Sequence, residues 1–254
     1  MEIVHAKQGN VKRIKEIGIR KFIFELAPLN LFVMRSLCLL LLLTPILFLQ
    51  TSCSQERDQP FYEEIEAFKI ADKKSPPPPN AILFTGSSSI RLWTTLQEDF
   101  PGYPVIRRGF GGSGLNDLIN YENDIITPYK PKQVVIYSGE NDIAMGGVTA
   151  TDIVQRFTEL FNMIRKDLPE TDIAFVSIKP SPSREKYQSI IEDANIMIRQ
   201  FLSSYPETVY IDVYHPMLDR DGKPRKELFT DDDLHMNEKG YQIWRDAIRP
   251  HLLR

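Results

Sequence analysis

The chain has 254 residues, of which 42% are hydrophobic and 26% charged, and a formal net charge of −3. Such a composition is that of a globular protein with room for one sizeable core or two small ones. The slightly acidic balance excludes a polyanion such as nucleic acid as the partner of the whole chain. Taken in chain order, residues 1–33 carry Lys12, Arg13, Lys15, Arg20 and Lys21 without a strong amphipathic stripe. They read as a misplaced upstream start, with Met34 as the expected true first residue. Met34-Arg35-Ser36 precedes the 13-residue stretch Leu37 to Leu49, and the small residues Thr51 and Ser52 lead to Cys53. A short basic start, an apolar centre and a small-residue exit make residues 34–52 a secretory signal. Thirteen residues fall short of the roughly 20 that span a bilayer, and Pro45 weakens the helix further, so a retained membrane anchor is the weaker reading.

"LQTSC" resembles a bacterial lipoprotein signal, which implies that Cys53 carries lipid and that the protein sits in the cell envelope, anchored on the periplasmic or outer surface of a membrane. Cys38, the only other cysteine, lies inside the signal, so no internal disulfide is expected after processing. Without residues 1–52, which hold seven basic and three acidic side chains, the formal charge falls to −7. Residues 53–79 read as a lipidated tether with a short helix near 60–72 and a stiff run, Pro76 to Pro79. The domain proper is expected over residues 80–254.

From Ala81 onward, apolar runs alternate with longer amphipathic stretches. "AILFTG" reads as a buried strand and "SIRLWTTLQEDF" as a helix. "PVIRRGF" is a second strand, followed by a helix from about Leu115 to Ile126, and "KQVVIYSG" a third. "TATDIVQRFTELFNMIRKDL" is a long helix with Ile153, Phe157, Leu160, Phe161 and Ile164 on one face. "TDIAFVSIKP" is a fourth strand, "EKYQSIIEDANIMIRQFLSS" a helix, "TVYIDVY" a fifth strand and "NEKGYQIWRDAIRPHLL" the closing helix. The alternation predicts an α/β fold with a parallel sheet covered on both faces. Loops after the strand ends would then gather at one edge, where such folds bind ligands. "GSSS", "GFGGSGLND", "SGEND" and "TDDDLH" all fall in those connections.

The serine cluster Ser87, Ser88 and Ser89 caps a helix, cradles a phosphate or supplies a nucleophile. A serine nucleophile needs a base, and the base works best when a third group orients it. Of the four histidines, His5 lies upstream of the signal, His251 near the chain end, and His215 just before Pro216; His235 stands three residues after Asp232. An Asp-x-x-His turn lets the carboxylate reach the ring of its own histidine, although an acidic loop capping a helix has the same pattern, and His215 is a second candidate base. "GFGGSG" offers backbone amides that approach a substrate closely, and Asn141 offers a side-chain amide; each is also a common turn residue. Trp93, Tyr103 and Trp244 read as core before sugar-stacking platforms, and Lys179 as a solvated loop lysine. Clusters of His, Cys and carboxylates at metal-ligand spacing are absent, so no metal and no cofactor are expected.

"FTGSSSI", "RGFGGSG", "SGEND" and "DDLH", in this order, resemble the SGNH hydrolases, or GDSL esterase/lipase family, over about residues 80–252. "GSSSIRLW" and "GFGGS" are most similar to the branch of the platelet-activating factor acetylhydrolases. The resemblance implies a flavodoxin-like three-layer α/β/α sandwich with a five-stranded parallel sheet. It implies Ser88 as nucleophile, His235 as general base and then acid, and Asp232 as its orienting partner. The oxyanion hole would be made by the amides of Ser88 and Gly112 and the side chain of Asn141. The family's Gly-Asp-Ser is Gly86-Ser87-Ser88 here, which leaves Ser87 and Ser89 as alternatives for the nucleophile. The expectation is a serine esterase removing short acyl groups, acetyl foremost, from a carbohydrate or another extracytoplasmic substrate, with the membrane as partner through Cys53 and no nucleic acid. A catalytically inactive surface-anchored carbohydrate-binding domain and a phosphate- or flavin-binding flavodoxin-like protein are the rival readings.

Overall fold

The computed structural model describes residues 59–254. The expectations placed on residues 1–33, 34–52 and Cys53 lie outside them. The five strands are β1 (Ile82–Gly86), β2 (Val105–Gly109), β3 (Gln133–Tyr137), β4 (Asp172–Val176) and β5 (Thr208–Ile211). They form one all-parallel sheet, as the alternation predicts, in the order β2-β1-β3-β4-β5, which is that of the flavodoxin-like fold the resemblance implies. Gly86 of β1 pairs with both Gly109 and Tyr137, so the first three strands end level.

The period-2 alternation of each strand feeds two cores. Leu83, Val134, Ile136, Ile173 and Phe175 point to one face. There they meet α4 (Leu115–Asn120), α5 (Glu122–Ile125), α7 (Ala150–Asp167) and α8 (Gln188–Leu202), the last two offering Phe157, Leu160, Ile191 and Ile198. Ile82, Phe84, Val135, Tyr137 and Val176 point to the other face, under α2 (Ser88–Arg91), α3 (Leu96–Asp99) and α9 (Glu238–Ile248). Between β3 and α7 lies the short α6 (Glu140–Ala144). The long helices start where their caps dictate: Thr149 and Asp152 form a reciprocal capping box on α7, and Asn237 Oδ1 accepts from the amides of Lys239 and Gly240 on α9.

Three expected helices are interrupted. Ser89–Phe100 breaks into α2 and α3 because Trp93 turns fully into the second core among Phe84, Phe100 and Trp244, while its indole N–H donates to Asp99 Oδ2 at 2.6 Å. Residues 115–126 split at Tyr121, and the first turn of the 185–204 stretch is a 3₁₀ turn, Pro182–Tyr187. Trp93 and Trp244 are core and Tyr103 packs against that core, in line with the expectation.

The helix expected near 60–72 is α1 (Tyr62–Lys74), and it packs against the sheet domain. Ile65 is inserted in the core, Phe61 meets Phe110 edge to face at 5.2 Å, and Lys69 pairs with Asp124 at 2.8 Å. Asp72 joins Arg108 and the Tyr129 hydroxyl.

Candidate active site

The order of the sheet reverses between β1 and β3, and the crevice at their C-terminal ends is where ligands bind in such folds. The chain leaves β1 through Gly86, whose φ of 136° lies in glycine territory, and a Cβ there would stand 1.8 Å from the Tyr137 carbonyl oxygen. Ser87 is buried, and its amide donates to that same carbonyl at 3.2 Å. The turn therefore delivers Ser88, half-buried, to the sheet edge as the first residue of α2.

The connection from β5 to α9 approaches from across the crevice. Phe229 and Met236 bridge in antiparallel fashion and Thr230 N donates to the His235 carbonyl at 2.8 Å, so residues 230–235 form a closed loop. Inside it Asp232 Oδ1 accepts from the amides of Leu234 and His235, both at 2.9 Å, and from the Thr230 hydroxyl at 2.8 Å. Asp232 Oδ2 is left to face His235 Nδ1 at 2.6 Å. The other ring nitrogen, Nε2, lies 3.0 Å from Ser88 Oγ, across 147 residues of sequence. Slight burial works to raise the pKa of Asp232, but the hydrogen bonds from the His235 ring, the two amides and Thr230 outweigh it and hold the carboxyl well below its ordinary range. An ionised Asp232 fixes a proton on Nδ1 of the neutral ring, which leaves Nε2 as an acceptor for the serine proton.

Gly112 has φ 81°, and a Cβ at this position would meet nothing within 4 Å, so its backbone borders open space. Asn141 Nδ2 donates one proton to the Ser113 carbonyl at 3.0 Å, which orients the amide and leaves it a second proton. Neither the Ser88 nor the Gly112 amide is taken by another backbone acceptor among the described residues. Asp142, next to Asn141, ties the same two loops together: Oδ2 accepts from Leu115 N at 2.9 Å and Oδ1 from Arg156 at 2.7 Å. Three features here were not read from the sequence. Asp142 is one. The second is Asp212, which with His215 repeats the Asp-x-x-His geometry at 2.7 Å; "DVYH" carried that signal, but His215 is exposed and the Ser88 hydroxyl faces His235. The third is Lys179, which is fully buried on Glu140 and not solvated as expected. His251 is exposed.

A model of the GDSL-like lipase/acylhydrolase family matches residues 84–243. Among solved structures, a candidate platelet activating factor from Streptococcus pneumonia aligns at 24% identity with TM-score 0.66, covering 83% of this chain and 99% of its own. A GDSL-like lipase from Bacteroides thetaiotaomicron aligns at 18% identity with TM-score 0.64, over 74% of this chain and 96% of that one. An acetyl esterase with bound acetate aligns at 20% identity with TM-score 0.54, over 67% and 95%. At these identities the structural likeness speaks for the fold. No curated protein matches the sequence.

Proposed function

The chain belongs to the GDSL-like lipase/acylhydrolase family and is an ester-bond hydrolase, and from that premise we propose that it cleaves short-chain acyl esters, acetyl esters foremost, with Ser88, His235 and Asp232 as its triad. The observation that carries this reading is the unbroken path from Asp232 Oδ2 through the His235 ring to Ser88 Oγ, at 2.6 and 3.0 Å. His235 Nε2 takes the proton as Ser88 Oγ attacks the ester carbonyl. Negative charge develops on the carbonyl oxygen, where the amides of Ser88 and Gly112 and the free proton of Asn141 Nδ2 receive it. The imidazolium then gives its proton to the departing alcohol, and the acyl group stays on Ser88. Water, deprotonated by the same nitrogen, releases the acid and restores the serine.

The acetyl assignment is supported by the acetyl esterase among the structural neighbours and by the resemblance to the acetylhydrolase branch. A carbohydrate or another extracytoplasmic alcohol fits the lipoprotein-like "LQTSC", which supports a lipid on Cys53 and a place at the cell envelope. Ser88→Ala tests the core of the reading. Turnover of p-nitrophenyl acetate should fall by at least ~10³-fold with folding intact, because the nucleophile is gone and only binding and oxyanion contacts remain. Fluorophosphonate labelling should vanish in the same variant. Wild-type turnover without the Ser88 hydroxyl would refute the assignment.

A further inference from the structure

Beneath the crevice lies a polar cluster that the reaction itself does not touch. Lys179 has no solvent exposure and Glu140 only 5%. Lys179 Nζ stands 2.9 Å from each carboxylate oxygen of Glu140. Tyr137, fully buried, donates its hydroxyl to Glu140 Oε2 at 2.8 Å, and Ser181 donates to Oε1 at 3.1 Å. Burial and then the Glu140 charge push the Tyr137 phenol well above its ordinary value, so it stays a neutral donor. The Lys179 ammonium also lies over the Phe229 ring, 5.5 Å from its centre.

A buried ion pair is weak evidence of stability, since the cost of stripping water from two charges rivals their attraction. What sets this one apart is where its members attach. Tyr137 holds the Ser88 turn, because its carbonyl accepts from the amide of Ser87, the chain neighbour of Ser88, at 3.2 Å. Glu140 is the chain neighbour of Asn141. Two residues after Ser181, Ser183 N donates to the Asp233 carbonyl at 3.0 Å, beside Asp232. Phe229 immediately precedes Thr230, whose hydroxyl holds Asp232. The cluster is thus tied to the Ser88 turn, to Asn141 and to the Asp232–His235 loop.

Building on the triad proposed above, we propose that the Glu140–Lys179 pair, with Tyr137 and Ser181, is the positioning device that sets Ser88, Asn141 and His235 in register with one another. Glu140 is the shared acceptor for Tyr137 on β3 and for Lys179 and Ser181 after β4, so the segments it joins have one common arrangement in which every partner is satisfied. An apolar cluster of equal volume would pack as well but would let the three loops slide by fractions of an ångström, and reaction rates are sensitive to displacement on that scale.

Two variants of the full chain test this. Tyr137→Phe removes only the hydroxyl that donates to Glu140 and keeps the ion pair. It should lower kcat on p-nitrophenyl acetate several-fold, with KM unchanged and a thermal midpoint close to wild type. The double variant Glu140→Leu/Lys179→Met removes both charges together, so it leaves no unpaired buried ion. It should melt within a few degrees of wild type while kcat stays at least tenfold down at unchanged KM. A wild-type kcat in either variant would show that the cluster is structural only and overturn the proposal. Ser88→Ala run in parallel separates the two levels. If that variant stays active, the triad reading has failed; if it is dead while Tyr137→Phe or the double variant is fully active, only the positioning role has failed.

Discussion

Asp232 works from an exposed position: nearly half of its side chain is open to solvent, yet four hydrogen bonds converge on it. Its folded pKa lies below the unfolded one, so the stability it contributes is present above about pH 4 and is lost as acid protonates it below that. Asp232→Asn keeps an acceptor for the turn amides but removes the charge that stabilises the imidazolium, and it favours the wrong tautomer. In buried triads that change costs about 10⁴-fold in kcat; with water screening this carboxylate, about 10²-fold is expected, with KM little altered, read from saturation curves on p-nitrophenyl acetate. A loss as large as that of Ser88→Ala would mean that Asp232 does more than orient and stabilise the ring. The pairing of Asp232 with His235 was legible because three residues of spacing make it a local geometry. The partnership of Glu140 with Lys179 was not, because it joins residues 39 apart whose burial depends on how two loops fold over one strand end. Lysine is almost never fully buried unless paired, so a solvated Lys179 was the natural reading of "SIKPSPSR".

At the scale of elements, the strand–helix alternation carried the architecture because each strand must bury both faces and each long helix one. The breaks were less legible. Trp93 leaves its helix because one indole ring fills more core than an unbroken turn would gain, and no local pattern reports that trade. Helix α1 is the clearest case: its apolar stripe is thin, yet Glu64 Oε1 accepts from the amide of Gly111 at 3.2 Å, next to Gly112. Together with Phe61 on Phe110 and the Tyr121 hydroxyl on the Pro60 carbonyl at 2.7 Å, this straps the glycine loop from outside. Glu64→Ala should therefore lower kcat about two- to fivefold by loosening the loop that offers the Gly112 amide, while the thermal midpoint falls by no more than about 4 °C, since one half-exposed hydrogen bond contributes only about 1 kcal/mol. Parallel measurement of kcat and melting decides it: unchanged kcat would show that the strap holds α1 to the domain without holding the loop.

Across the whole molecule, the parallel sheet sorts its polar groups by edge. The C-terminal strand ends carry Ser88, Asn141 and the cluster under them, whereas Glu122 faces Lys166 and Asp167 at the end of α7, just before β4. Glu122 has no solvent exposure. Its Oε1 accepts from the Thr127 hydroxyl at 2.5 Å, and Oε2 has no hydrogen-bond partner among the described residues. Burial, and then repulsion from Asp167, raises its pKa against the Thr127 bond. A raised carboxylate pKa means that the folded state holds the proton more tightly than the unfolded chain does. The resulting stabilisation is present at low pH and is lost as pH rises through the folded value, so at neutral pH ionised Glu122 is a cost. Glu122→Gln removes the charge and keeps the acceptor for Thr127. It should raise the melting temperature by about 2–4 °C at pH 7–8, the size of a gain of about 1 kcal/mol in a domain this large, and the gain should fade near pH 4, where the wild-type side chain is itself protonated. Because the substitution lies away from the catalytic edge, kcat/KM should stay at its wild-type value. A lowered melting temperature at neutral pH would mean that the unpartnered oxygen is not the liability argued here, and a changed kcat/KM would mean that the two edges are coupled through the sheet.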